Sequence, residues 1–299
     1  MHGWVSRIVA VALLCLSVIG LTVGSAVAAE RGPNSFAVHR IQIDDLVGRL
    51  AIRVIDTGPV TLRIVGPSGE LDRISTTVLD EVLILQHERG NFSFWRLFQD
   101  RVEVMLDVPR GTPIDITQLV GDAVIGDLDG PLHLRLARGE VRTGRLGPSN
   151  LVISGKGDIT VAEVTGVAEV QIAGSGKVLV GRSDGATVRI AGPGEVHFGP
   201  VGSSLDIELS GSGGAVVDSV DGLVFARILG SGGVRVLGGR AEPLRVAVEG
   251  PGNFSFAGAA INPDLTVAGS GVIELQSYSG QPRTRVAGGG DIKLGTAIP

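Results

Sequence analysis

A Gly-X-Gly triplet recurs every 18 to 20 residues across the second half of this 299-residue chain. Short segments in which apolar and polar residues alternate flank each triplet, and this alternation is typical of a β-strand with one buried face. A unit of about 19 residues cannot bury its own apolar row, so successive units must stack and share an interior. The complete triplets begin at Gly155, Gly174, Gly192, Gly211, Gly230, Gly250, Gly269 and Gly288.

The stacked units predict an all-β fold, a parallel β-helix with coils of about 19 residues. Parallel crossover connections are overwhelmingly right-handed, which predicts a right-handed solenoid. Glycine suits the corner between the two strands of a coil because it accepts positive φ and lets the chain approach the neighbouring coil closely. The residue two positions before each first glycine is always Ile, Leu or Val, so we expect like side chains to stack.

Residues 30–118 lack the triplet but remain rich in β-strand patterns. We expect irregular coils and a cap here, because a solenoid needs its open end covered. The regular solenoid is predicted over residues 119–295, with a short tail at 296–299. A separate small β-sandwich is the alternative, although no polar linker divides the two halves. The strand predictions are Phe36 to Ile43, Leu50 to Ile55, Val60 to Val65, Val82 to Gln86 and Arg101 to Val108.

The first 29 residues have the pattern of a secretory signal peptide. Arg7 precedes an apolar stretch from Ile8 to Gly24, and small residues with an Ala-X-Ala cleavage site follow. An uncleaved membrane anchor is the alternative. The single cysteine, Cys15, lies inside this stretch, so the mature protein would have no cysteine. These features predict export to the bacterial periplasm or outer surface, with no transmembrane segment after cleavage.

Composition and spacing argue against several functional classes. A formal net charge of −5 without a concentrated basic face argues against a nucleic-acid partner. None of the eight complete triplets has the third glycine of a dinucleotide-binding loop. The histidines after residue 29 are scattered without metal-ligand spacing, so we expect no metal site, no cofactor and no catalytic residues.

A cluster of aromatic residues, Phe92, Phe94, Trp95 and Phe98, is the first candidate interaction surface. One interpretation is a protruding apolar loop that contacts a partner or a membrane. The other is a plug packed over the first coil. The sequence does not choose between them.

An outward charged row, Arg189, Glu208 and Arg227, is the second candidate, because each residue lies three positions before a triplet in successive repeats. The simple interpretation is an exposed ladder of unlike charges. The alternative is a polysaccharide-processing β-helix enzyme that uses this strand face. No Ser/His/Asp set can be assembled from the sequence, and we therefore predict that the protein is not an enzyme.

The repeat from Val170 to Val178, with its central Gly174-Ser175-Gly176, resembles the autotransporter-adhesin head GIN domain family. The strand region that ends in Val108-Pro109-Arg110-Gly111-Thr112 resembles it too, and the resemblance spans residues 36–294. It implies an exported bacterial β-helix at the cell envelope and transfers no catalytic residue. We expect a non-enzymatic, adhesin-like or structural scaffold. Its expected partner is an envelope protein or polysaccharide, or a second copy bound through the open C-terminal β edge. The alternative for this edge is that Asp291, Lys293 and Pro299 protect it from association.

Overall fold

The computed structural model describes residues 28–88 and 102–299. Their strands stack as a parallel β-solenoid of about 10 turns spaced around 19 residues, which confirms the predicted fold class. The elements are β1 (Ala28–Phe36), β2 (Arg40–Asp44), β3 (Leu46–Ile55), β4 (Val60–Pro67), α1 (Ser68–Leu71), β5 (Ile74–Leu79), β6 (Val82–His87), β7 (Val102–Pro109), β8 (Ile114–Val120), β9 (Ala123–Ile125), β10 (Leu132–Leu146), β11 (Ser149–Ala173), β12 (Lys177–Val180), β13 (Ser183–Ala191), β14 (Glu195–Gly211), β15 (Gly214–Gly230), β16 (Gly233–Val236), β17 (Gly239–Glu249), β18 (Asn253–Ile261), β19 (Asp264–Ala268), β20 (Val272–Ser279), β21 (Arg283–Ala287) and β22 (Asp291–Ala297).

The solenoid interior consists of columns of like apolar side chains. Ile190 pairs with Leu209 and Leu209 pairs with Ile228 in parallel register, one residue from each of three successive coils. All three are at most 1% exposed. Burying one such side chain contributes roughly 1.5–3 kcal/mol to stability. Stacking therefore supplies the core that a single repeat lacks.

The structure shows both predicted reasons for glycine at the corners, which are a positive φ and a close approach to the neighbouring coil. Gly211 has a φ of 132°, a conformation that residues with a Cβ rarely adopt. A Cβ added to Gly213 would lie only 2.3 Å from the carbonyl oxygen of Gly194 in the adjacent coil. In this corner the first glycine therefore provides the backbone angle, and the second permits the close approach of the coils.

The corner column also continues into the N-terminal half, where the triplet is absent. Leu46 and Val47 pair with Leu119 and Val120, so the two Leu-Val-Gly segments at 46–48 and 119–121 occupy equivalent positions. A Cβ on Gly121 would lie 1.8 Å from the carbonyl oxygen of Gly48. The equivalence was missed in the sequence, and the repeated Leu-Val-Gly is the signal that could have shown it.

The N-terminal coils are stacked out of chain order. The coil formed by β2 and β3 pairs with β8 and β9 on one side and with β6 and β7 on the other. Beyond β7 the sheet continues with β4 and then β1, both antiparallel, and β5 pairs antiparallel with β6. The chain therefore leaves the solenoid after β3, forms this cap and returns. The domain boundaries given above stay predictions.

One of the five strand predictions is wrong. The segment predicted as a single strand from Phe36 to Ile43 contains two strands, because β1 ends at Phe36 and β2 begins at Arg40. The physical reason is a change of partner: β1 pairs antiparallel with β4 in the cap, whereas β2 enters a parallel coil beside β6. Apolar alternation across residues 36–43 conceals this break.

The two ends of the stack differ. At the N-terminal end, Leu71 of α1 and Ile74 of β5 are 5% and 2% exposed. At the C-terminal end, Val286 is 47% exposed, although Val267, its neighbour in the same column, is fully buried. The outer edge of β21 and β22 is thus accessible, and self-association through this edge stays a prediction.

Candidate interaction surface

Arg189, Glu208 and Arg227 lie side by side on three successive coils. Arg189 pairs with Glu208, and Glu208 with Arg227, in parallel register. Strand alternation puts these side chains outward because their neighbours along each strand are buried. The Nε atom of Arg189 is 4.0 Å from the Oε2 atom of Glu208. The predicted charged ladder is therefore present in the fold.

The ladder extends to Glu249, a residue that sequence reasoning missed. Both Nη2 and Nε of Arg227 donate to Oε1 of Glu249, at 2.8 and 3.2 Å. Arg227 is thus held by the following coil rather than by Glu208. The two residues are 22 positions apart, a diagonal step of one coil plus two residues. That step is longer than the repeat period, which is why alignment of the repeats did not reveal the pair.

Phe225 and Arg245 form a second contact on the same face. The guanidinium carbon of Arg245 lies 5.4 Å from the centre of the Phe225 ring, within cation–π range. A shallow groove of about 380 Å³ runs between these residues and the ladder, bordered by Asp206 and Thr266. Phe225 was missed because it stands alone in the sequence. Its outward position between inward-facing Val224 and Ala226 is the signal that was available.

The exposure of the ladder limits what it can do chemically. The side chains of Arg189 and Glu208 are 54% and 48% exposed, so their ion pair is open to solvent. Exposed pairs of this kind contribute roughly 0–1 kcal/mol each. An extended ligand could still contact several of these charges at once. The polysaccharide-processing alternative is not favoured.

The aromatic candidate surface cannot be compared with the fold. Phe92, Phe94, Trp95 and Phe98 lie outside the described residues, between the end of β6 and the start of β7. Both interpretations of this segment stay predictions. The segment predicted as a signal peptide likewise lies outside the described residues up to residue 27.

Two groups in the N-terminal part of the stack, Asp107 and His87, have lowered pKa values. Nε and Nη2 of Arg53 donate to the carboxylate of Asp107 at 2.6 and 2.7 Å, and this pairing lowers the pKa of Asp107. The hydroxyl of Thr61 donates to the same carboxylate at 3.0 Å. Burial lowers the pKa of His87, and nearby Glu70 partly opposes that effect. Both groups stabilise local structure and lie apart from the ladder.

Within residues 28–88 and 102–299, no three His, Cys, Asp or Glu side chains converge in a way that could hold a metal ion. Across the same ranges, no helix has both the length and the apolar character needed to cross a membrane.

Residues 45–240 match the family described as "Putative auto-transporter adhesin, head GIN domain". The chain belongs to this family. The matched range includes much of the cap region and the ladder residues from Arg189 to Arg227. Head GIN domain membership thus agrees with the solenoid fold and with the resemblance noted in the sequence.

Several solved structures are similar to this head GIN domain protein. A "putative adhesin" from Parabacteroides distasonis has 16% identity and a TM-score of 0.42, with 92% of this chain and 98% of that chain covered. A "putative adhesin" from Bacteroides fragilis has 18% identity and a TM-score of 0.37, with 91% and 96% covered. A "putative lipid binding protein" from P. distasonis has 14% identity and a TM-score of 0.38, with 91% and 97% covered. No curated protein matches the chain.

Proposed function

We propose that this head GIN domain protein is an exported, non-enzymatic scaffold that binds a component of the bacterial cell envelope through an outward strand face. The observation that carries the proposal is the charged ladder, in which Arg189, Glu208 and Arg227 repeat at the same position of successive coils. Adjacent strands are about 4.8 Å apart. The ladder therefore presents alternating charges at a fixed spacing along the solenoid.

A ladder of this kind supports binding rather than chemistry. Each exposed charge contributes little alone, but a long partner that meets several charges together gains from every contact after the first. The solenoid supplies the rigid support for such a surface because its core residues are packed coil upon coil. The family description as an adhesin head supports the same function.

Export is supported by the N-terminal sequence. Arg7, the apolar stretch from Ile8 to Gly24 and the small residues before Glu30 have the order of a cleavable signal peptide. We propose that the mature protein acts in the periplasm or on the outer surface. Fractionation of the producing cells tests this step, and recovery of the protein in the cytoplasmic fraction would contradict it.

Cross-linking mass spectrometry on the envelope fraction tests the ladder. The informative variant combines Arg189→Ala with Arg227→Ala, and the expected result is a marked loss of cross-links to envelope components. A control variant that combines Arg142→Ala with Arg235→Ala removes the same charge from outward positions after the glycine corner. Equal cross-linking by the two variants would refute the role of the ladder.

A further inference from the structure

A column of prolines lies on the N-terminal coils, just before the strand that precedes each corner. The N–H of Ile41 donates to the carbonyl of Pro113, the N–H of Ile114 to that of Pro131, and the N–H of Leu132 to that of Pro148, at 3.0 to 3.2 Å. These bonds link successive coils, so the three prolines are stacked in register. Val167, which is 46% exposed, lines the same surface in the next coil.

A column of polar side chains runs parallel to the prolines. Each polar residue lies two positions after its proline, and the register pairs Asp115 with His133 and His133 with Asn150. The Nδ2 atom of Asn150 donates to Oε2 of Glu169 at 2.9 Å, which carries the column into the following coil. Residues two apart on a strand point to the same face, separated by roughly 7 Å.

The two columns enclose a trough, which we call the proline trough. It has a volume of about 400 Å³, and Arg40 borders it at the end nearest the cap. This volume falls within the range of roughly 300–1,000 Å³ that is typical of small-ligand sites. One side of the trough is apolar, and the other carries carboxylates, an imidazole and an amide.

A buried acceptor in the trough lacks a partner. The Oδ1 atom of Asn150 is inaccessible to solvent and accepts no hydrogen bond from any described part of the chain. An unsatisfied buried acceptor costs roughly 1–3 kcal/mol. Because solvent does not reach this atom, a ligand in the trough meets the carboxylate of Glu169 and not the Asn150 Oδ1 atom. The amide is already oriented, because its Nδ2 atom is bound to Glu169.

We propose that the proline trough binds a neutral glycan chain that lies along the solenoid axis. Sugar hydroxyls are both donors and acceptors, so they can donate to the carboxylates of Asp115 and Glu169. They can also accept from Arg40. The proline rings offer an apolar wall for the carbon face of a pyranose ring. This inference rests on the proposed function, since it names the ligand class of an envelope-binding scaffold.

The surroundings of the trough argue against two other ligand classes. The carboxylates of Asp115 and Glu169 would repel an anionic ligand. A peptide strand could not add to the sheet there, because the N–H of Leu132 and its equivalents already bond to the neighbouring coil.

The two carboxylates of the trough are too far apart to form a glycosidase pair. Asp115 and Glu169 are three coils apart, roughly 14 Å at the usual strand spacing. The two carboxyl groups of a glycosidase are about 5–9.5 Å apart. These two carboxylates therefore cannot act together on one glycosidic bond.

Isothermal titration of the purified protein with four linear hexasaccharides tests the proposal: cellohexaose, laminarihexaose, maltohexaose and mannohexaose. We expect one of them to bind, with about tenfold weaker affinity in two variants. Asn150→Ala removes the Nδ2 donor that orients the Glu169 carboxylate, and Glu169→Ala removes that carboxylate as an acceptor. The matched control is Thr187→Ala, because Thr187 follows Glu169 in the same outward column but does not line the trough. Equal thermal unfolding of all variants confirms intact folding, and the exposed Glu169 provides a second site if Asn150→Ala unfolds.

Each outcome is decisive. Failure of all four hexasaccharides to bind at millimolar concentration, or equal affinity in Asn150→Ala and Thr187→Ala, overturns the glycan proposal. Cross-links from His133 to an envelope protein would identify a protein as the occupant, which overturns the glycan proposal and leaves the envelope scaffold standing. A cytoplasmic location would overturn the proposed function without changing the titration result.

Discussion

The Nδ1 atom of His87 accepts a hydrogen bond from the backbone N–H of Val47 at 3.3 Å. Acceptance at Nδ1 requires the neutral imidazole, whose proton is then on Nε2. His87 is only 7% exposed, and its Nε2 atom lies 3.7 Å from Oε2 of Glu70. Asp45 and Arg73 are the other charged groups that act on the ring. The neutral ring thus links β6 of the cap to the start of β3.

We expect this arrangement to make the stability of the protein depend on pH near neutrality. Burial lowers the pKa of folded His87, so the unfolded chain binds a proton first as the pH falls. The contribution of neutral His87 to the free energy of unfolding is complete above the pKa of the unfolded chain, about 6.5. It is lost as the pH falls toward the lower pKa of the folded chain. The free energy of unfolding, measured with urea at several pH values across this window, should change less with pH in His87→Gln than in the wild type. The amide oxygen of the glutamine can still accept from the N–H of Val47.

Asp107 is a useful control for this experiment. Its pKa is lowered by Arg53, so its contribution is present above about pH 3.9 and is lost at lower pH. Asp107→Asn should therefore leave the pH dependence of the free energy of unfolding between about pH 5 and 7 unchanged. If the free energy of unfolding of His87→Gln changes with pH as much as that of the wild type, another group causes the pH dependence.

The glycine corners predict a large, position-specific effect on folding. In Gly213→Ala the new Cβ would lie 2.3 Å from the carbonyl oxygen of Gly194, so the two coils must separate locally. We expect a loss of at least about 2 kcal/mol in the free energy of unfolding, measured with urea.

Gly202→Ala is the matched control, because its Cβ would meet its nearest atom, the carbonyl oxygen of Asp184, at 3.6 Å. That is an ordinary contact, and we expect a change within about 0.5 kcal/mol. Similar losses in the two variants would mean that general glycine effects, and not coil spacing, control stability.

The repeated part of the fold could be read from the sequence because each coil repeats one physical solution. An apolar residue two positions before the corner must stack on its equivalent, as Ile190 does on Leu209. Glu208 of the ladder follows by the same rule, since it immediately precedes Leu209 and strand alternation turns it outward.

The cap and part of the surface could not be predicted in this way. The coil of β2 and β3 is separated from β8 by the whole cap, so the period is lost between Gly48 and Gly121. Glu249 joins the ladder only through the reach of the Arg227 side chain, a rotamer-dependent contact. The prolines at 113, 131 and 148 recur at nearly the coil period. This recurrence is a sequence signal for the stacked proline column.

The ladder should affect binding far more than stability. Arg227 is 57% exposed in its pair with Glu249, so Arg227→Gln should change the free energy of unfolding by less than about 1 kcal/mol. Phe198→Ala, which empties a fully buried position, should cost about 3–5 kcal/mol. A loss above about 2 kcal/mol in Arg227→Gln would assign the ladder a structural role instead.

The uneven covering of the stack predicts that one substitution has different costs in adjacent coils. Val267 and Val286 pair in the same inward column, but Val267 is fully buried and Val286 is 47% exposed. Val267→Ala should cost about 2–3 kcal/mol, through lost burial and a cavity. Val286→Ala should cost less than about 1 kcal/mol, because water already reaches this side chain.

Measuring these costs at different protein concentrations tests whether the chain self-associates through the C-terminal edge. If a second copy covers β21 and β22, the cost of Val286→Ala should rise with concentration, because association stabilises the folded chain by mass action. The cost of Val267→Ala should stay constant. Urea unfolding at two concentrations at least tenfold apart, with the oligomeric state measured by light scattering, gives both quantities. A constant small cost for Val286→Ala and a monomer at both concentrations would refute self-association through this edge.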